Sequence, residues 1–195
     1  YQINFEFEMA HQANETAFEL QRQIRARDKR TPIENVPSES PRLYRISTQG
    51  SPLGTLDPTQ VTYGSEGWVA SNLFVGLAEF DNDTNVVPHA ARSWEVLDGG
   101  RRYVFHLRDD MRWTDGTPVT ALDFEWAWKH NLAQGIESFS GSLLDDIVGA
   151  RDYREGRNPD PDSVGIRALD PLTLEVRLVT PVAYFIYLVA QPVTY

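Results

Sequence analysis

Residues 101–131 read RRYVFHLRDDMRWTDGTPVTALDFEWAWKHN, and their reading decides the fold class. Tyr103, Phe105 and Leu107 alternate with Val104 and His106, which predicts a strand with at least one buried face. Asp115-Gly116 is a turn dipeptide, and Pro118 presets an extended approach to the next element. Thr120 opens a T-x-x-D pattern that closes at Asp123. Its hydroxyl suits an orphan amide at a helix start, and the carboxylate suits the positive end of the helix dipole. Phe124, Ala127, Trp128 and Asn131 then recur at helical spacing. A strand, a turn, an extended piece and a capped amphipathic helix give an α/β architecture and, by themselves, no activity.

Upstream, Asp98-Gly99-Gly100 turns a strand from Trp94 back into Tyr103–Leu107, so a hairpin is expected there. Asp81-Asn82-Asp83-Thr84-Asn85 places oxygen ligands alternately, as a calcium loop does. The sixth position lacks Gly and the twelfth is Arg92 in place of Glu, so the stretch reads as a turn. Ser65 can cap a helix running to about Val75, with Trp68, Val69, Leu73 and Phe74 as its buried face. Arg42–Gln49 is a predicted strand carrying Leu43 and Ile46. Before it, residues 8–29 carry Met9, Ala13, Ala17, Leu20 and Ile24 at helical spacing, and a proline- and serine-rich linker follows.

Downstream, residues 138–155 suit one or two helices with Leu143, Leu144, Ile147 and Val148 inward. Val164–Ala168 and Leu172–Leu178 read as strands joined by the Asp170-Pro171 turn. The stretch PVAYFIYLVAQPVTY suits a short apolar helix that Pro192 ends.

The chain has 195 residues, net charge −10, five Trp, eight Tyr, nine Phe and no Cys. The only basic cluster is Arg22–Arg30, which argues against a nucleic-acid partner. No apolar run reaches the roughly 20 residues that span a bilayer. Without cysteine there is no disulfide, thiolate metal site or Cys nucleophile. The four histidines lie apart without zinc-helix spacing, and His106 reads as a satisfied structural residue. Asp109, Asp110, Asp115 and Asp123 could supply a hydrolase acid–base pair, yet turns and caps explain each of them. Arg108 and Arg112 either clamp a ligand carboxylate or fix their own loop through neighbouring aspartates. No nucleophile elbow or phosphate-cradling glycine loop is present, so no catalytic residue, metal or cofactor is expected.

Several blocks also carry a resemblance. FHLRDDMRWTDGTPVTALDFEWAW is similar to the signature of the family 5 extracellular solute-binding proteins, the peptide-, dipeptide- and nickel-binding receptors of ABC importers. Leu56-Asp57-Pro58, Asn72-Leu73-Phe74-Val75-Gly76-Leu77, the stretch from Val87 to Val96, Ile147–Gly156 and Asp170–Leu178 resemble other blocks of that family, in the same order. Val75 stands where Glu is common, and His89 where a small or apolar residue is usual.

The resemblance implies a periplasmic-binding-protein-like fold of the three-lobe class, with mixed sheets and flanking helices. Residues 42–72 and 181–195 would be parts of lobe I, residues 73–180 lobe II, and residues 1–41 an N-terminal helix and linker outside the match. The rest of lobe I and all of lobe III would be missing, which makes the chain an N-terminal fragment.

The function implied is capture of a peptide or similar solute between lobes and its delivery to a permease. Thr62, Tyr63 and Gly64 would offer backbone groups to an extended peptide, and Phe139 an aromatic contact. Gly64 permits close approach and Tyr63 supplies an aromatic face. The expected location is periplasmic or extracellular, with or without a lipid anchor beyond this sequence. The competing readings are a sensory or structural module fused to another domain and, less favoured, a hydrolase.

Overall fold

The computed structural model describes residues 56–60, 65–133, 141–191 and 194. The strand predicted at Arg42–Gln49, the helical spacing at residues 8–29, the expected contact residues Thr62–Gly64 and Phe139, and Pro192 lie outside the described residues.

A four-stranded antiparallel sheet organises the molecule. Its strands are β3 (Ala91–Leu97), β4 (Arg102–Leu107), β5 (Ile166–Asp170) and β6 (Thr173–Arg177), in the order β3-β4-β6-β5. Ahead of it stand helix α1 (Ser65–Leu73) and a two-stranded antiparallel ribbon, β1 (Ala78–Phe80) and β2 (Val86–Pro88). Helices α2 (Ala121–Leu132), α3 (Ala150–Arg154) and α4 (Phe185–Val189) complete the order.

The expected hairpin is present: Trp94 faces Phe105 and Val96 faces Tyr103 across β3 and β4. Its turn passes through positive φ at Asp98, Gly99 and Gly100. On the next ladder Phe105 faces Leu174 and Tyr103 faces Val176. Period-2 alternation therefore puts these aromatic and branched side chains on one face of the sheet. Phe124, Trp128, Leu132, Leu144, Ile147 and Phe185 share their core.

On the opposite face Glu175 is buried, and the guanidiniums of Arg102 and Arg177 donate to its carboxylate at 3.3 and 2.8 Å. A buried charge is tolerable only with such partners. His106 on the same face pairs with Glu95 at 2.7 Å, a structural role.

Helix α2 begins as the sequence indicates. The Asp123 carboxylate receives the Thr120 amide at 2.6 Å and the Thr120 hydroxyl at 3.0 Å, closing a capping box. Phe124, Trp128 and Asn131 are buried, and the Trp128 indole donates to the Thr194 carbonyl at 2.8 Å. Glu125 reaches the edge of β5, where it accepts the Ala168 amide at 2.6 Å.

Three apolar expectations fail. Leu143 and Val148 are exposed, because a 3-10 turn at Gly141–Leu144 replaces helix there and turns only Gly141 and Leu144 inward. Val148 instead runs beside the sheet, its amide donating to Arg177 and its carbonyl accepting from Gly165. Leu73 is 58% exposed, because α1 ends there and turns the side chain toward a cleft.

Asp81 accepts the amides of Asp83 and Asn85 at 2.9 and 2.8 Å, so the stretch is the turn between β1 and β2. These bonds hold the Asp81 carboxyl below its ordinary value, the Asn85 side chain foremost.

Candidate functional site

The cleft beside α2 is built from three short stretches. The outward side of α2 forms its floor, with Leu122, Trp126 and His130 one helical turn apart. Arg112, Trp113 and Thr114 form one wall. Asp57–Thr59 and Leu73–Val75 form the other. Its volume is about 670 Å³, within the range of small-molecule sites.

The floor is apolar and open: Leu122 is 63% and Trp126 66% exposed. His130 lies flat on Trp126, ring centroids 4.7 Å apart and planes 7° from parallel. Trp113 is also exposed, carried by a tight turn in which Gly116 takes φ 88°.

Local partners engage the charged groups around the cleft. The Asp57 carboxylate accepts the Thr59 amide at 3.0 Å, the Thr59 hydroxyl at 2.8 Å and the Gln60 amide group at 3.2 Å. Asp123 is held in the capping box. Arg112 donates to the carbonyls of Asp109 and Met111 at 2.9 and 2.7 Å. Nearby, Arg108 grips Asp110 through two bonds of 2.9 and 2.8 Å, and this pairing lowers the Asp110 pKa. Asp115 accepts the Thr117 amide and hydroxyl at 2.9 and 2.7 Å. Both arginines therefore brace their own loop. Three of the four carboxylates weighed as an acid–base pair, Asp110, Asp115 and Asp123, are committed to local bonds.

What the cleft offers a neighbour is apolar and aromatic surface. Sequence reasoning missed Leu122, Trp126 and His130. Their spacing of four was visible, but the buried stripe of the same helix drew the reading to its other face.

A second depression of about 520 Å³ lies between the 3-10 turn and α4, lined in part by Leu143, Asp146, Tyr184 and Tyr187. The Tyr184 hydroxyl donates to Asp146, and the bond raises the Tyr184 pKa. Among the described residues no group of three or more His, Cys, Asp or Glu could hold a metal ion. No described helix is long and apolar enough to cross a membrane.

The predicted contact residues, Thr62, Tyr63, Gly64 and Phe139, all lie outside the described residues. Along the chain, Thr62 stands three residues beyond the cleft wall at Thr59.

Residues 85–195 match the family described as bacterial extracellular solute-binding proteins, family 5 Middle. The chain belongs to family 5. Among its family 5 relatives, the probable deoxycholate-binding periplasmic protein YgiS of Escherichia coli is 36% identical over 159 residues. That alignment covers 81% of this chain and 30% of YgiS. The periplasmic oligopeptide-binding protein OppA of Escherichia coli is 38% identical, over 76% of this chain and 27% of OppA. The structure of the substrate-binding domain of an oligopeptide ABC transporter from Bacillus anthracis superposes with a TM-score of 0.70 at 34% identity. It is matched over 73% of this chain and 27% of its own length. The fold is thus that of the OppA-type periplasmic binding proteins, and this chain spans under a third of these relatives' length.

Proposed function

We propose that this chain is part of the substrate-binding component of an ABC importer, which captures a peptide or similar small solute between lobes and presents it to a permease. The family match over residues 85–195, with relatives named for oligopeptide binding, is the observation that carries this reading. The work is non-covalent: lobes close on the ligand by hinge motion, and no bond is made or broken. Engagement of Asp110, Asp115 and Asp123 by local donors favours this over a hydrolase.

In this reading residues 42–72 and 181–195 belong to lobe I and residues 73–180 to lobe II. Thr62–Gly64 pairs with the ligand main chain, Phe139 covers it, and residues 1–41 stand outside the receptor core. The periplasmic relatives support a periplasmic or extracellular location.

Ultraviolet cross-linking tests the site. A short peptide bearing a benzophenone side chain, applied at millimolar concentration, is expected to label Thr62–Gly64 and the region of Phe139. Labelling confined to α3 or to β5 would overturn the assignment.

A further inference from the structure

Trp126 stands well exposed on α2, yet the plane of its ring is set. The His130 imidazole lies on one face, centroids 4.7 Å apart and planes 7° from parallel, the spacing of a stacked ring pair. The opposite face looks toward Leu122, one turn earlier on the same side of the helix and also exposed. Trp113 and Leu73, exposed as well, stand in the walls of the same cleft. Apolar side chains left open around a space of about 670 Å³ suit a small ring.

The walls are held before anything enters. The Asp57 carboxylate closes its own turn through the Thr59 amide and hydroxyl. Around Trp113, the Trp113 amide donates to the Thr117 carbonyl at 2.8 Å, and the Gly116 amide to the Trp113 carbonyl at 2.9 Å. The capping box fixes the start of the floor. A site preformed in this way costs little further ordering when a ligand binds.

Charge then narrows the ligand. Both carboxylates that line the cleft, Asp57 and Asp123, are satisfied by local donors. The Arg112 guanidinium is drawn to the carbonyls of Asp109 and Met111. An ionised ligand would lose hydration here and meet groups that already have partners. The Thr114 hydroxyl and the His130 ring nitrogens, also in the lining, make no hydrogen bond among the described residues. They suit a single hydroxyl or carbonyl on an otherwise apolar ring.

We propose that this cleft is a binding site for a small uncharged ring compound, stacked on the face of Trp126 that looks toward Leu122. The site goes beyond peptide capture between lobes. It needs no main-chain pairing and no peptide, so its failure would leave that reading untouched.

The probe is p-cresol, with benzoate and benzylamine as charged rings of similar size. The 195-residue chain is labelled with 5-fluorotryptophan, and Trp113→Phe and Trp126→Phe assign the two cleft signals in the fluorine spectrum. p-Cresol is expected to shift the Trp126 signal saturably, with half-saturation in the millimolar range or below. Benzoate and benzylamine are expected to bind at least ten-fold more weakly. Leu122→Asp, a change at an exposed position, is expected to weaken p-cresol at least ten-fold in a chain that stays folded by circular dichroism. A shift that does not saturate, or that spares Trp126, would overturn the proposal. Benzoate binding as tightly as p-cresol would overturn it by making Arg112 a carboxylate clamp, and equal binding of benzylamine by making the site cationic in preference. Unchanged affinity in Leu122→Asp would also overturn it. So would a Trp126 signal that moves with protein concentration alone, which would make a second copy the occupant.

Discussion

Gly149 shows how a single backbone position fixes a motif. It adopts φ 72°, and a Cβ there would sit 2.3 Å from the Ser163 carbonyl oxygen. The resemblance to the family block Ile147–Gly156 marked the residue, but the reason lies across the fold, where the Pro161–Ser163 turn approaches α3. Strain at positive φ costs about 1–2 kcal/mol and the backbone clash adds to it, so Gly149→Ala is expected to destabilise by about 2 kcal/mol or more. Urea unfolding checks this through the midpoint, with an unchanged slope.

Acid response is also set residue by residue. Asp81, Asp110, Asp115 and Asp170 all have folded-state pKa values below the ordinary value, held there chiefly by Asn85, Arg108, Thr117 and the Leu172 amide. A depressed carboxyl pKa stabilises the fold above the unfolded value and loses that contribution as pH falls through the folded one. The melting temperature is therefore expected to change little near neutrality and to fall below about pH 4. Replacing Arg108 by Gln should flatten that acid limb. An identical limb in the variant would show that the Arg108–Asp110 pair plays no part in it.

At the scale of elements, helix α2 was the most legible part of the chain. Its capping pattern, its buried stripe and the strand before it could all be read locally, because each depends on neighbours within a few residues. What could not be read depends on distant partners. Leu143 and Val148 have helical spacing from Leu144 and Ile147, yet the chain at Val148 bonds to Gly165 and Arg177, which breaks the helix and exposes both side chains.

The contact between Glu125 and the Ala168 amide is of the same kind. A helix seals the edge of a sheet 43 residues away, and no spacing rule announces it. Glu125→Ala is expected to leave α2 helical while raising amide exchange at Ala168 well above that of its neighbours. Exchange unchanged at Ala168 would mean that the carboxylate does not protect the edge.

For the whole molecule, family and fold were legible because the blocks occur in order along most of the chain, and the match over residues 85–195 and the solved relatives agree with that order. The ligand site was less legible. Thr62–Gly64 and Phe139 rest on the resemblance and lie outside the described residues. The chain spans under a third of the length of these relatives. The central claim is that this chain supplies one side of a peptide receptor.

Calorimetric titration with short peptides tests it most directly, on the 195-residue chain and on a chimera in which residues 42–195 replace the matching segment of the Escherichia coli OppA. The account expects no binding tighter than about millimolar for the chain alone and micromolar binding for the chimera, a difference of about 4 kcal/mol. A folded chimera that binds no peptide, or micromolar affinity in the chain alone, would contradict it.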